Sequence, residues 1–378
     1  MTHRTPQNIM AAAGATAIGT STGRSPLAHT PAIILGGTGY VAGELLRLIA
    51  GHPQLDVAAI LSDSQPGAPV AGAFAHLRSA YPDLKFADLA QVEALIRSAP
   101  DSALFSAAPH GVAAAIIDRL LAAAESAGRR VHCVDISADF RYSSAAAYEA
   151  VYKHTHGAPA RIRQFTCALP EHLSKSPTPH VAHPGCFATA TLLASVPLLA
   201  LGLTDTRLFV TGITGSTGAG RKPVEGTHHP HRHSDLYSYG ALSHRHVPEI
   251  IACAKLATGI EAELNFVPHS GPFARGIHVT VQASLKKPID TAQALHALKS
   301  YYKDCPFVRV GEAAPRIKDV ATSNYANLSA VTNGNSIAVM SVVDNLNKGA
   351  AGGAVQWMNR LLGLDERTGL TTPAPGWT

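Results

Sequence analysis

Cysteine, aromatic residues and charge are all scarce in this chain. Its five cysteines, Cys133, Cys167, Cys186, Cys253 and Cys305, form no C-x-x-C pair and are odd in number. That argues against a disulfide framework and for free thiols in a reducing compartment, so a cysteine with a special role is sought as a nucleophile. There are 31 Lys and Arg against 26 Asp and Glu, spread with no basic block. Nucleic acid is therefore not an expected partner, whereas small anions such as phosphates and carboxylates are. The longest strongly apolar run without charge, around Leu192 to Leu203, is well short of the ~20 residues of a membrane-spanning helix, and no membrane association is expected. Residues 1–30 contain no Asp or Glu and read as a disordered leader. The expected location is the cytoplasm, with organellar import as the alternative reading of that leader.

What is present is a globular composition, 46% hydrophobic with 32 Gly and 25 Pro over 378 residues, long enough for two domains. From Pro31 the pattern is strand, glycine turn, helix: Ala32 to Leu35, Gly36-Gly37-Thr38-Gly39, then Glu44 to Ile49 at helical spacing. Strands at Val57 to Leu61, Ala103 to Ser106 and Val131 to Asp135 alternate with helical stretches such as Val112 to Ala127, which implies a parallel, doubly wound sheet. After about residue 183 alternating segments such as Gly276 to Gln282 and Ser336 to Val342 predict a second, mixed or antiparallel sheet. Gly349 to Leu362 predicts a closing amphipathic helix. The expected fold is thus α/β: a Rossmann-type domain over 31–182 plus 344–378, and an inserted α+β catalytic, substrate and oligomerisation domain over 183–343.

Four segments carry candidate chemistry. Gly36-Gly37-Thr38-Gly39-Tyr40-Val41, between a strand and a helix, suits a dinucleotide pyrophosphate, with Ser62, Asp63 and Ser64 at the end of the next strand where a ribose would lie. Cys186 follows Pro184-Gly185 and opens an apolar helix, where the dipole and free N–H groups acidify a thiol and stabilise an oxyanion; the plain alternative is a small buried hydrophobe. Ser243-His244-Arg245-His246-Val247-Pro248-Glu249 supplies imidazoles for proton transfer, against the alternative of a solvated loop. Thr214-Gly215-Ser216-Thr217-Gly218-Ala219-Gly220-Arg221-Lys222 is a glycine loop ending in two cations, suited to a phosphate or carboxylate but not spaced as a P-loop. The cluster His228, His229, His231, His233 has no accompanying Cys or tight carboxylate set, and no metal is expected.

Taken in order with Asp135-Ile136-Ser137-Ala138-Asp139-Phe140-Arg141, Leu169-Pro170-Glu171 and Pro272-Phe273-Ala274-Arg275-Gly276, these motifs resemble the N-acetyl-γ-glutamyl-phosphate reductase family, relatives of aspartate-semialdehyde dehydrogenase, from about Pro31 to Leu362. The resemblance implies NADPH-dependent reduction of N-acetyl-γ-glutamyl phosphate to the semialdehyde and phosphate through a thioester on Cys186, as a step of arginine biosynthesis. It also implies a homo-oligomer, dimer or tetramer. In that reading His244 is the acid/base and His246 its support, with the two side chains on opposite sides of an extended loop. Arg245 and Arg275 take the substrate carboxylate, Arg221 or Lys222 its phosphate, Glu249 assists, and Gly218 and Gly220 approach the cofactor. The alternatives are the same step on N-acetyl-α-aminoadipyl or aspartyl phosphate, NAD in place of NADP, or an inactive cofactor-binding homologue. Departures from the family pattern are Ala42 at the third glycine position, Cys167 where a Tyr-Gly pair is usual, and no basic residue beside Asp63.

Overall fold

A computed structural model describes residues 29–377; the expected leader falls almost wholly outside them. Six strands form an all-parallel first sheet: β1 (Thr30–Leu35), β2 (Leu55–Ile60), β3 (Asp101–Ser106), β4 (Arg130–Asp135), β5 (Phe165–Cys167) and β6 (His180–Ala182), in the order β2-β1-β3-β4-β6-β5. Alternation along β1 sends Ala32 and Ile34 into the hydrophobic cluster on one face and Ile33 and Leu35 into that on the other. Both faces are therefore buried, as a parallel sheet requires. One face carries α1 (Tyr40–Ile49), the other α3 (Leu89–Ser98) and α4 (Ala113–Ser126); between them the chain forms the single-turn α2 (Val70–Ala73), and after β4 comes α5 (Ala145–Tyr152). The order reverses at β1, with β2 on one side and β3 on the other, and the crevice at the carboxyl ends of these strands is where a nucleotide fits such a sheet.

The chain then enters α6 (Cys186–Ala200), apolar all round and buried along nearly its whole length. It packs on a mixed second sheet of β7 (Arg207–Thr214), β8 (Tyr237–Ser238), β9 (Glu263–Ser270), β10 (Ile277–Ser284), β11 (Val308–Val310), β12 (Ala326–Asn333) and β13 (Ser336–Val343), ordered β11-β12-β13-β10-β7-β9-β8. The pairs β7 with β9 and β11 with β12 are parallel; the other pairs are antiparallel. Here the alternation is one-sided: Val279 and Val281 join the core under α6, α8 (Val247–Thr258) and α9 (Thr291–Tyr301), while on the reverse face Phe209 and Val331 remain about half exposed. The single-turn α7 (His229–Arg232) lies in the loop between β7 and β8.

The closing segment is not one regular helix. A buried π-turn over Asn347–Ala351 precedes α10 (Gly352–Leu361), which returns to the first sheet, its Trp357 Nε1 donating to the Ala168 carbonyl at 2.9 Å. No helix among the described residues is long and apolar enough to cross a membrane.

Candidate active site

Two clefts meet the expected motifs. The first, about 620 Å³, is lined by Gly36 to Gly39, Ser62 to Gln65, the Ala107-Ala108-Pro109 turn after β3, and Arg221 with Lys222. Gly36 has a φ of +78°, and a Cβ there would fall 2.4 Å from the Ala107 carbonyl oxygen, so only glycine turns the chain here. Gly39, the N-cap of α1, has ordinary φ, and its added Cβ would meet only the Gly36 oxygen at 3.7 Å. The fold itself has room for a side chain at Gly39; the space lies toward the cleft, where a pyrophosphate would approach the helix N-terminus. Gly43 takes the close-packing role expected of the third glycine, since its Cβ would fall 2.7 Å from the Phe74 ring; this is why Ala42 is tolerated. Tyr40 and Val41 form the first turn of α1 beside this cleft but do not line it.

The second cleft, about 550 Å³, is lined by Cys186 and Phe187 of α6, Gly215, Ser216, Gly218 and Ala219 of the glycine loop, Tyr237, Tyr239, and Ser243 to His246. Cys186 is the first residue of its helix after an extended Gly185. Gly185 is pinned from three sides. Its N–H donates to Glu249 Oε1 at 2.8 Å, and a Cβ on it would fall 2.6 Å from the His246 ring and 2.8 Å from Arg141 Nη1. Glu249 is fully buried and pairs with the equally buried Arg141 at 3.2 Å, whose Nε donates to the His183 carbonyl and Nη2 to that of Ile136. From the far side the π-turn closes in, a Cβ on Gly349 falling 2.8 Å from Cys186 Cβ. The thiol is thus held by a rigid cradle spanning both sheets.

His244 and His246 face this one cavity with rings in edge contact at 4.7 Å. The expectation that they point apart fails because the segment is not extended: His246 is already αR as it caps α8 ahead of Pro248. The His246 N–H donates to His244 Nδ1 at 3.2 Å, so in neutral His244 the ring proton sits on Nε2. Burial, reinforced by the neighbouring positive charges, pushes His244 down to about 4 and His246 well below the usual imidazole value. Both rings are neutral at pH 7.

The expected acidified thiol is also corrected. Burial is the largest influence and raises Cys186 above its ordinary value, although Arg141, the Phe187 N–H and Arg245 pull it down. A helix N-terminus acidifies a thiol that water or charge can reach; here the surroundings are apolar enough for desolvation to win.

Other expected residues land elsewhere. Arg275 lines neither cleft: its guanidinium is committed to Asp344 at 2.5 Å and Glu44 at 2.8 Å, bracing α1 against the end of β13. Arg221 and Lys222 line the glycine-turn cleft rather than the cavity at Cys186. Gly218 lines the cavity at Cys186, and Gly220 lines neither cleft. Arg245 reaches the cavity and lies over the Tyr152 ring at 5.8 Å. Arg141 enters the sequence analysis only as the last residue of the Asp135 to Arg141 motif, without a role; its neighbours Ser137 and Asp139 make the segment read as polar, and nothing local shows that its partner is Glu249, 108 residues later. Among the described residues no group of three or more His, Cys, Asp or Glu is disposed to hold a metal ion.

Comparison with known proteins identifies the family. The semialdehyde dehydrogenase NAD binding domain family matches residues 31–186, and the semialdehyde dehydrogenase dimerisation domain family matches 186–345. The chain is 40% identical over 354 residues to the N-acetyl-gamma-glutamyl-phosphate reductase of Pseudomonas putida strain F1, covering 89% of this chain and 97% of that one. It is 41% identical to the Azotobacter vinelandii protein of the same name, covering 90% and 98%. Among solved structures it resembles aspartate semialdehyde dehydrogenase II of Vibrio cholerae, with a TM-score of 0.65 at 15% identity over 89% of this chain and 98% of that one. It also resembles the Candida albicans aspartate semialdehyde dehydrogenase solved with NADP, with a TM-score of 0.62 at 14% identity over 89% and 99%.

Proposed function

The chain belongs to the N-acetyl-γ-glutamyl-phosphate reductases of the semialdehyde dehydrogenase family, and from that premise we propose a mechanism in which Cys186 is the nucleophile and His246 its proton acceptor. The enzyme is an oxidoreductase that reduces N-acetyl-γ-glutamyl phosphate to N-acetylglutamate semialdehyde and phosphate with NADPH, in arginine biosynthesis. The observation that carries the mechanism is the single cavity in which a helix-opening cysteine and two neutral imidazoles meet.

Cys186 Sγ attacks the acyl carbon as its proton passes to His246, whose ring rests on the adjacent Gly185. The carbonyl oxygen gathers negative charge, which the backbone N–H groups at the start of α6 and the Nε2–H of His244 receive. The bond to phosphate breaks, phosphate leaves as it takes up a proton from solvent, and a thioester on Cys186 remains. When bound, NADPH supplies the hydride that takes this thioester to the aldehyde oxidation level. His246, now protonated, guards the resulting oxyanion; as the C–S bond breaks the aldehyde leaves, and the thiolate recovers its proton from His246. Assigning the acid/base to His246 and the oxyanion donor to His244 reverses the order expected from sequence, because His244 Nδ1 is already occupied as an acceptor. Arg245 is assigned to the substrate carboxylate and Glu249, through Gly185 and Arg141, to holding the thiol in place.

For the cofactor, the tight turn at Gly36 and the room at Gly39 fit a pyrophosphate on the N-terminus of α1. We assign residues 31–182 with 344–378 to cofactor binding, 183–343 to catalysis, and the helix-free face of the second sheet, with Phe209 and Val331, to pairing with a second copy. Phosphate-dependent reduction of NADP⁺ by N-acetylglutamate semialdehyde tests the activity. A clear preference for the semialdehyde one methylene longer, or for aspartate semialdehyde, overturns the substrate assignment.

A further inference from the structure

A 2′-phosphate brings a dianion toward the end of β2, where the chain offers Ser62, Asp63, Ser64 and Gln65. Asp63 opposes such a group, and among the described residues no Lys or Arg of the first sheet or its connections lines this cleft. The cations that do line it, Arg221 and Lys222, arrive from the loop after β7 of the second sheet. Arg221 is occupied as a clip. Its Nη1 donates to the Thr38 carbonyl of the glycine turn at 3.1 Å, its Nη2 to the Ala73 carbonyl of α2 at 3.0 Å, and its guanidinium lies over the Phe74 ring at 5.4 Å. These contacts hold the loop against the cleft and leave the next side chain, Lys222, exposed on its wall, with no ion-pair or hydrogen-bond partner among the described residues.

We propose that Lys222, delivered across the molecule by the Arg221 clip, is the cation that holds the cofactor's 2′-phosphate and decides for NADP over NAD. The inference rests on the dinucleotide reading of this cleft. Ser62 and Ser64 add hydroxyl donors; their Oγ atoms lie 3.3 Å apart at the same wall. Together the two cations outweigh Asp63 and turn a lining that would repel a 2′-phosphate into one that attracts it. The same loop lines the Cys186 cavity through Gly215, Ser216, Gly218 and Ala219, so the specificity element for the cofactor is continuous with the wall of the catalytic cavity.

The test reads binding rather than turnover. The full chain and its Lys222→Gln, Lys222→Arg and Arg221→Gln variants are titrated calorimetrically with NADPH, NADH and adenosine 2′,5′-bisphosphate. Lys222→Gln is expected to weaken NADPH and the bisphosphate by roughly tenfold or more, the scale of one charge-assisted hydrogen bond, while NADH is unchanged and Lys222→Arg retains the preference. Arg221→Gln is expected to weaken both cofactors, since it releases the clip on the glycine turn, and NADPH the more, since it also frees the loop that delivers Lys222. Equal losses for NADPH and NADH in Lys222→Gln would assign its charge to the pyrophosphate and overturn the inference, as would no loss at all. Loss of the NADPH preference in Arg221→Gln alone would overturn it equally. If the unaltered chain binds neither cofactor, the dinucleotide reading itself falls.

Discussion

The glycine-turn cleft and the cavity at Cys186 are made of different materials. Between β1 and α1 the surface is main chain: a left-handed glycine at 36, an open glycine at 39 and the N–H groups of a helix start. Around Cys186 the surface is side chain, a buried Arg141 and Glu249, two imidazoles in edge contact and a thiol under a π-turn, drawn from segments far apart in sequence. A main-chain site depends on local turn chemistry and tolerates change in what surrounds it. A side-chain site depends on many buried partners at once, and each loss leaves another group unsatisfied.

The sharpest way to separate the two is to remove the nucleophile. Cys186→Ala is expected to lower kcat by roughly 10⁴- to 10⁶-fold, the scale on which loss of a nucleophile acts, with NADPH affinity unchanged by titration. Substantial residual turnover would mean that the thiol is not covalent in the reaction. Because burial raises this thiol, its alkylation by iodoacetamide is expected to accelerate with pH and to inflect above the ~8.5 of a free cysteine. An inflection near or below neutrality would show a preformed thiolate and remove the need for His246 as acceptor.

The two imidazoles come next. His246→Asn is expected to lower kcat by ~10²- to 10⁴-fold, as for a proton-transfer group, and His244→Asn by less, since it contributes one hydrogen-bond donor. The reverse order would restore the sequence-based assignment to His244. Beneath them, Glu249→Ala leaves Arg141 buried without its carboxylate and Gly185 without its acceptor, and is expected to destabilise the fold by about 3–5 kcal/mol in denaturant titrations while NADPH still binds the folded fraction. A stable variant with full activity would show that the cradle is not what holds the thiol.

How far the sequence could be read follows the same division. The glycine turn, the first four strands of the doubly wound sheet and the opening of α6 at Cys186 are local patterns, and each lies within a residue or two of its expected position; β5 and β6, three residues each, are too short to carry a pattern and are not among the expected strands. What the sequence could not supply was direction across space. Arg275 and Arg221 carry the charge that an anionic substrate wants, yet one is spent on Glu44 and Asp344 and the other on the main chain of Thr38 and Ala73. The histidines were separated by the arithmetic of an extended chain, but Pro248 and the onset of α8 fold them into one cavity. Helix position and nearby histidines predict an acidic thiol, whereas its burial depends on the π-turn more than 150 residues later.

The smallest effect on stability is expected at Gly39, and it is the most direct test of a site built from main chain. Gly39 has a φ of −77° that any residue adopts, and an added methyl would meet only the Gly36 oxygen at an ordinary 3.7 Å. Gly39→Ala is therefore expected to cost no more than about 1 kcal/mol, an ordinary N-cap change. Its methyl would nevertheless stand in the space above the first turn of α1, so NADPH affinity is expected to fall by roughly tenfold or more, with Cys186 alkylated at the unaltered rate. Gly36→Ala is the contrasting control: the left-handed φ and the 2.4 Å approach to Ala107 make it destabilising before any cofactor is added. If Gly39→Ala binds NADPH normally, the pyrophosphate does not cross the turn at this residue; if it unfolds the chain as Gly36→Ala does, Gly39 is there for the fold and the division between the two sites weakens.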